Sequence, residues 1–250
     1  MRRITRAALA RKVLSYLARK QAEVNAGGKA RSLWQSARKT RTIRKVADTL
    51  SSMIGSRQRC MYCEDSRGTQ SDHFWPLARY PKKAFLWENM LWLCAGCNQK
   101  KGNQFDLNGS GRPLLINPTD EDPWDFLFFE PDTGIITGRI DPSSGIAHRK
   151  GEYTTDPAVL PLNIEPVTDG RRRTYRSLCR AVQRFLDGAR QTADATIARN
   201  QLLGEIRDHD DFGLVDWYFR KDGGNEPPFS TLRERHAEVW RAIAGQLPVA

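Results

Sequence analysis

Residues 60–103 read CMYCEDSRGTQSDHFWPLARYPKKAFLWENMLWLCAGCNQKKGN. Two Cys-x-x-Cys pairs, Cys60/Cys63 and Cys94/Cys97, bracket this stretch with 30 residues between them. Each pair places two sulfurs on one side of a tight knuckle, so the two together complete a tetrahedral four-thiolate shell of the kind that holds zinc. Such a shell keeps no open coordination position, and the zinc it implies is structural. The intervening length exceeds a plain hairpin and predicts a folded insertion. Inside it sits Ser71-Asp72-His73-Phe74-Trp75-Pro76, whose apolar neighbours pin an extended backbone and send Asp72 and His73 to opposite faces. An imidazole titrating near ~6.5 can take a proton from water at neutral pH, whereas a carboxylate is a hard oxygen ligand suited to Mg²⁺ or Mn²⁺.

Working outward toward the N-terminus, residues 1–59 carry sixteen Lys and Arg against only Glu23 and Asp48. The net charge of the whole chain is +11, so the basic excess belongs to this arm and the remainder is slightly acidic. Such an arm is a candidate phosphate-binding surface; a solvated helix face is the bland alternative. Ile4, Ala7, Ala8, Leu14, Leu17 and Ala18 recur at helical spacing until Gly27-Gly28 interrupts them. Leu33, Trp34, Ala37, Val46, Ala47, Leu50, Met53 and Ile54 then mark a second helical segment, closed by Gly55-Ser56. The expectation is a basic helical hairpin over 1–56.

Beyond residue 104 the chain is rich in Gly, Asn and Pro. Trp124 to Glu130 and Ile135 to Thr137 then flank Pro131-Asp132-Thr133-Gly134, which predicts a short β-hairpin near 124–140. Helical periodicity returns near 169–188, 191–208 and 229–246. The aromatic run Trp217-Tyr218-Phe219, with Leu232, Val239, Trp240 and Ile243, is expected to enter a core, although an oligomer interface is the other use of such a cluster. His148, His209 and His236 stand far from the cysteine frame and read as structural or surface residues. Cys179, the fifth cysteine, reads as a small buried hydrophobe.

With 250 residues and 39% hydrophobic content the chain can bury a real core. It shows no apolar run of membrane-spanning length and no secretory-type leader, and its cysteine usage suits a reducing compartment, so the expected location is the cytoplasm, with no membrane partner. No Gly-x-x-x-x-Gly-Lys-Ser/Thr phosphate loop is present, so any nucleotide dependence would come from another chain.

Taken together, Cys60-x-x-Cys63, Asp72-His73-x-x-Pro76, Asn89 and Cys94-x-x-Cys97-Asn98-x-x-Lys101-Gly102 resemble the zinc-bearing HNH endonucleases, over about 44 residues. The resemblance implies an α+β protein: a ββα-metal nuclease core with structural zinc over 57–117, flanked by the N-terminal region 1–56 and a mostly helical region 118–250. It implies His73 as general base, Asp72 and Asn98 as ligands of a catalytic Mg²⁺ or Mn²⁺, and Asn89 as the residue that orients the histidine through its backbone. Asn98 stands where many members carry a second histidine, and its amide oxygen favours a hard ion. Asn103 is a weaker alternative for that position. Arg67, Lys100 and Lys101 are candidate phosphate contacts.

A wider similarity covers Tyr80-Pro81, Trp87-Glu88-Asn89, Leu115-Ile116-Asn117-Pro118 and Leu160-Pro161-Leu162-Asn163, which look like the flanks of HNH effectors in Septu and retron-linked antiphage systems. That likeness implies a partner ATPase and a DNA or RNA target. The readings carried forward are a DNA endonuclease of phage defence, an RNA-cleaving effector, and a zinc-dependent nucleic-acid-binding module without catalysis.

Overall fold

A computed structural model describes residues 1–188, 195–208 and 212–246. The motif stretch folds as two short antiparallel strands and a helix: β1 (Gln70–His73), β2 (Met90–Leu93) and α4 (Ala95–Lys101). The register pairs Asp72 with Leu91 and His73 with Met90. Met90, Leu91 and Leu93 are buried, as their run of apolar residues requires. Cys94 caps α4, its sulfur accepting from the Cys97 N–H, and Gly102 at φ +44° ends the helix. The result is the ββα core of an α+β protein.

Three helices precede it where two were expected: α1 (Arg11–Asn25), α2 (Ala30–Ala37) and α3 (Arg41–Ser52). The segment read as one helix from Leu33 to Ile54 breaks at residues 38–40, because the Thr40 side chain accepts from the Ile43 N–H and caps a new helix. Residues 1–10 are not helical despite their spacing. They run extended across the core, with Met1, Ile4 and Leu9 buried and the Ile4 N–H bonded to the Pro118 carbonyl at 2.8 Å. Arg2 pairs with the buried Glu64 in the first cysteine knuckle. Burial alone would raise the Glu64 carboxyl, but Arg2 and the Met1 amino group overcome it and hold its pKa below the ordinary value. Val13, Leu17, Ile43, Val46 and Leu50 close the helical side of the core.

Beside the knuckle, Gly68 lies against Trp92, and a Cβ there would overlap the indole. Gly68→Ala is expected to lower stability by about 1–3 kcal/mol through overpacking, read as a shifted urea midpoint.

Downstream, β3 (Leu127–Phe129) and β4 (Ile136–Gly138) form the expected antiparallel hairpin. They are followed by α5 (Arg149–Thr155), α6 (Glu165–Gly188), α7 (Ala195–Asp208), α8 (Leu214–Arg220), α9 (Phe229–Arg235) and α10 (Ala237–Gln246). The helix expected over 229–246 is thus two, separated at His236, and residues 191–194 of the one expected over 191–208 lie outside the described residues, as does His209. Trp217, Tyr218, Phe219, Leu232, Val239 and Ile243 are buried. Tyr218 stacks on Phe229 at 4.1 Å, so the aromatic run serves a core. His148 caps α5 through Nδ1 and packs on Phe126, His236 packs on Phe185, and Cys179 is half-buried. Among the described residues no helix is long and apolar enough to cross a membrane.

Candidate functional site

The four cysteines expected to share a metal come together. Cys60, Cys63, Cys94 and Cys97 are all buried, with their sulfurs within 4.8 Å of one another. A tetrahedral shell with Zn–S bonds of about 2.3 Å places its sulfurs about 3.8 Å apart. The Cys63 and Cys94 sulfurs are 3.8 Å apart, so the donor set and its spacing both fit zinc. Hydrogen bonds from the sulfurs of Cys60, Cys63 and Cys97 drive the Cys94 thiol well below its ordinary range, while burial pushes the Cys60 thiol up. This cluster fixes the start of α4, which carries Asn98 and Lys101 one and four positions after the last ligand, Cys97.

Asp72, His73 and Asn98 border one cavity of about 580 Å³, and Asn103 borders it too. His73 is 5% exposed, and its Nε2 lies 2.8 Å from the Ala84 carbonyl. A carbonyl oxygen can only accept, so the proton resides on Nε2 and the neutral ring keeps its lone pair on Nδ1. Burial lowers the His73 pKa, against the opposing pull of Asp72 and of the Ala84 hydrogen bond, so the ring is neutral at neutral pH. Across the cavity, the Asn98 amide donates from Nδ2 to Gln70 Oε1, which turns its own Oδ1 into the free acceptor. Asp72 Oδ2 is buried and meets Lys101 Nζ at 2.8 Å as an ion pair, without a well-aligned hydrogen bond. Asp72 and Asn98 thus bring two oxygen-bearing side chains, a hard donor type that suits Mg²⁺ or Mn²⁺, to the border of one cavity.

Asn89 is buried and does not touch the imidazole. Its carbonyl accepts from the Phe74 N–H at 2.8 Å, its Oδ1 from the Trp75 N–H at 2.7 Å, and its Nδ2 donates to the carbonyls of Trp75 and Lys83. It therefore fastens the backbone just after His73 to the turn that ends at Ala84. Behind them Phe74 and Tyr80 pack edge-on against Phe105, and Trp75 packs tilted against it.

Lys101, expected at the surface as a phosphate contact, is fully buried. Besides Asp72 it donates to the His73 carbonyl at 2.7 Å, so it bridges the two motif residues from behind. Lys101→Met would leave that carbonyl and Asp72 Oδ2 without their cation; a loss of about 1–3 kcal/mol is expected, measured by urea denaturation. Arg67 bonds Gln58 Oε1 and lies beside the cysteine cluster, away from the cavity. Lys100 is exposed on α4 outside the cavity lining.

Residues that sequence reasoning missed come from the N-terminal region, both its irregular first ten residues and its helices. Gln21 on α1 accepts from the Phe85 N–H at 2.8 Å and so steadies the peptide whose carbonyl holds His73. Arg6 donates to the carbonyls of Trp87, Glu88 and Met90, clamping the turn into β2. Trp34 on α2 meets the imidazole edge-on, ring centroids 4.5 Å apart. Arg31 and Arg38, with Trp34, line the cavity. Their spacing of i, i+3 and i+7 marks one helix face and was the available signal.

Comparison with known proteins converges on the same segment. Residues 60–104 match the HNH endonuclease family. A Septu protein, PtuB, of Bacillus thuringiensis is 36% identical over 73 residues, which cover 27% of this chain and 27% of that protein. The chain thus spans about a quarter of the length of the relative it matches. Two strands, a helix, the clustered cysteines and the matched span coincide on the same residues, so residues 60–104 are the part of this chain that matches the HNH endonucleases.

Proposed function

We propose that the chain is a metal-dependent endonuclease that hydrolyses phosphodiester bonds of DNA, acting in antiphage defence in the cytoplasm. The observation that carries this reading is the shared cavity in which a neutral, carbonyl-held His73 stands beside the oxygen-bearing side chains of Asp72 and Asn98. His73 takes the proton of the attacking water at Nδ1. Asn89 and Ala84 keep the ring oriented while this happens. Asp72 and Asn98 hold a Mg²⁺ or Mn²⁺ ion, which when bound supplies positive charge to the scissile phosphate and its leaving oxygen. Lys101 keeps the Asp72 carboxylate in place. Zinc in the four-cysteine shell has no part in the chemistry and holds α4, and with it Asn98, at the cavity.

The likeness to a Septu protein supports a defence role and a partner from the same system, and the basic arm supports a polyanionic target. RNA fits the same chemistry, since the site's proposed contacts are to the phosphodiester and not to the sugar.

Purified protein, alone and with any ATPase encoded beside it, is to be incubated with plasmid DNA and with structured RNA in Mg²⁺ or Mn²⁺. Cutting of DNA that Asp72→Ala and Asn98→Ala each abolish is expected. Cutting of RNA alone selects the second substrate. Intact nucleic acid throughout, with the zinc-loaded fold verified, leaves only a binding module and overturns the proposal.

A further inference from the structure

Helix α2 lies outside the matched HNH span, yet it forms one wall of the cavity. Its residues Arg31 and Arg38 are exposed there, and among the described residues neither guanidinium has a hydrogen bond or an ion pair. The only carboxylate in the cavity lining is Asp72, already paired with Lys101. Trp34, between them on the same face, is buried against His73 and against Phe85 at 5.6 Å. The helix is therefore docked on the imidazole, and the two cations ride on it at a fixed register.

We infer that Arg31 and Arg38 form a phosphate clamp that seats a continuous polynucleotide strand across the His73 cavity, gripping its backbone on either side of the bond to be cut. The inference rests on the nuclease reading and deepens it. Arg38, which caps the end of α2 with a helical backbone, lies seven residue steps beyond Arg31, so the two stand about 10 Å apart along the axis. Phosphates of one duplex strand recur about every 3.4 Å along its axis, so that separation brackets roughly three phosphate steps. A guanidinium presents a planar fork of donors that matches a phosphate's oxygens, and contacts of this kind position a strand without reading its bases. Trp34 gives the clamp its register: the surface that locks the helix also touches the catalytic ring, so phosphate and base are placed by one element. The preferred substrate is then an internal stretch of chain that extends past the cut in both directions, and cleavage shows little preference of sequence at this wall.

The test compares Arg31→Gln/Arg38→Gln with Arg11→Gln/Arg44→Gln, which removes the same charge from the same basic arm outside the cavity. Binding of a 30-nucleotide DNA of mixed sequence, single-stranded and duplex, is titrated against salt in a His73→Ala background, and cleavage is followed with His73 present. The first pair is expected to lower the slope of log affinity against log salt by about two, to weaken binding about tenfold or more, and to raise KM. The control pair is expected to change the slope by less than half as much. An unchanged slope, or equal changes in both pairs, overturns the clamp while leaving cleavage by the wild type intact. Wild-type protein that cuts no nucleic acid, with binding still dependent on Arg31 and Arg38, overturns the nuclease reading and supports the clamp as a binding site.

Discussion

Cys97→Ser is expected to yield a protein that holds less than one zinc per chain and lacks protection from hydrogen exchange over residues 58–104. The four sulfurs are buried within 4.8 Å of one another, and without a metal such a group crowds thiolates together with no cation to offset their charge. Structural zinc contributes on the order of 10 kcal/mol to folding in small zinc peptides, and whole domains are stable by only about 5–15 kcal/mol. Loss of one ligand therefore removes most of what keeps this segment ordered, and Asn98, the residue after Cys97, leaves the cavity with it. Cys179→Ser serves as the control, since that thiol is remote from the cluster and should retain full zinc by elemental analysis. Native-like exchange protection over 58–104 in zinc-depleted Cys97→Ser would show that the cluster is dispensable.

His73→Ala carries the second large effect. General-base catalysis by a positioned side chain contributes about 10²–10⁴-fold, and cleavage is expected to fall by that factor in Mg²⁺ while nucleic-acid affinity stays within a few fold. The distinction follows from geometry: His73 is 5% exposed and presents little surface to a bound strand, whereas the cations lining the cavity stand on α2. Removing a buried ring also costs stability, so the comparison is made well below the melting transition, with circular dichroism confirming the fold. A variant that cuts at the wild-type rate would remove His73 from the chemistry.

Much of the ββα core was legible because its determinants are local. Two Cys-x-x-Cys knuckles and the Asp72-His73 pair announce themselves by spacing, and the turn at Pro131 to Gly134 foretold the β3/β4 hairpin. What stayed hidden depends on distance in the chain. Lys101 looks like any lysine at the end of a helix until β1 is seen to cover it. Ala84 contributes only a carbonyl, which no side-chain pattern can reveal. Residues 1–10 have helical spacing, yet Ile4 gains more from burial against the core and from a backbone bond to Pro118 than one extra turn on α1 could supply. The single capping hydroxyl of Thr40 was likewise outweighed by apolar periodicity in reading 33–54 as one helix.

The bonds from Gln21 to Phe85 and from Arg6 to the turn at residues 87–90 have a consequence for how such enzymes can be rebuilt. The matched cassette begins at residue 60, but the peptide beside the acceptor that orients its imidazole is braced by Gln21, 64 positions before Phe85, and the turn beyond it by Arg6, 81 positions before Trp87. Grafted into another scaffold, or trimmed to the motif, the cassette would keep its zinc and every signature residue while its histidine turned freely. The smallest transferable unit of this site begins well in front of the motif, with the N-terminal segment and the helices that follow it.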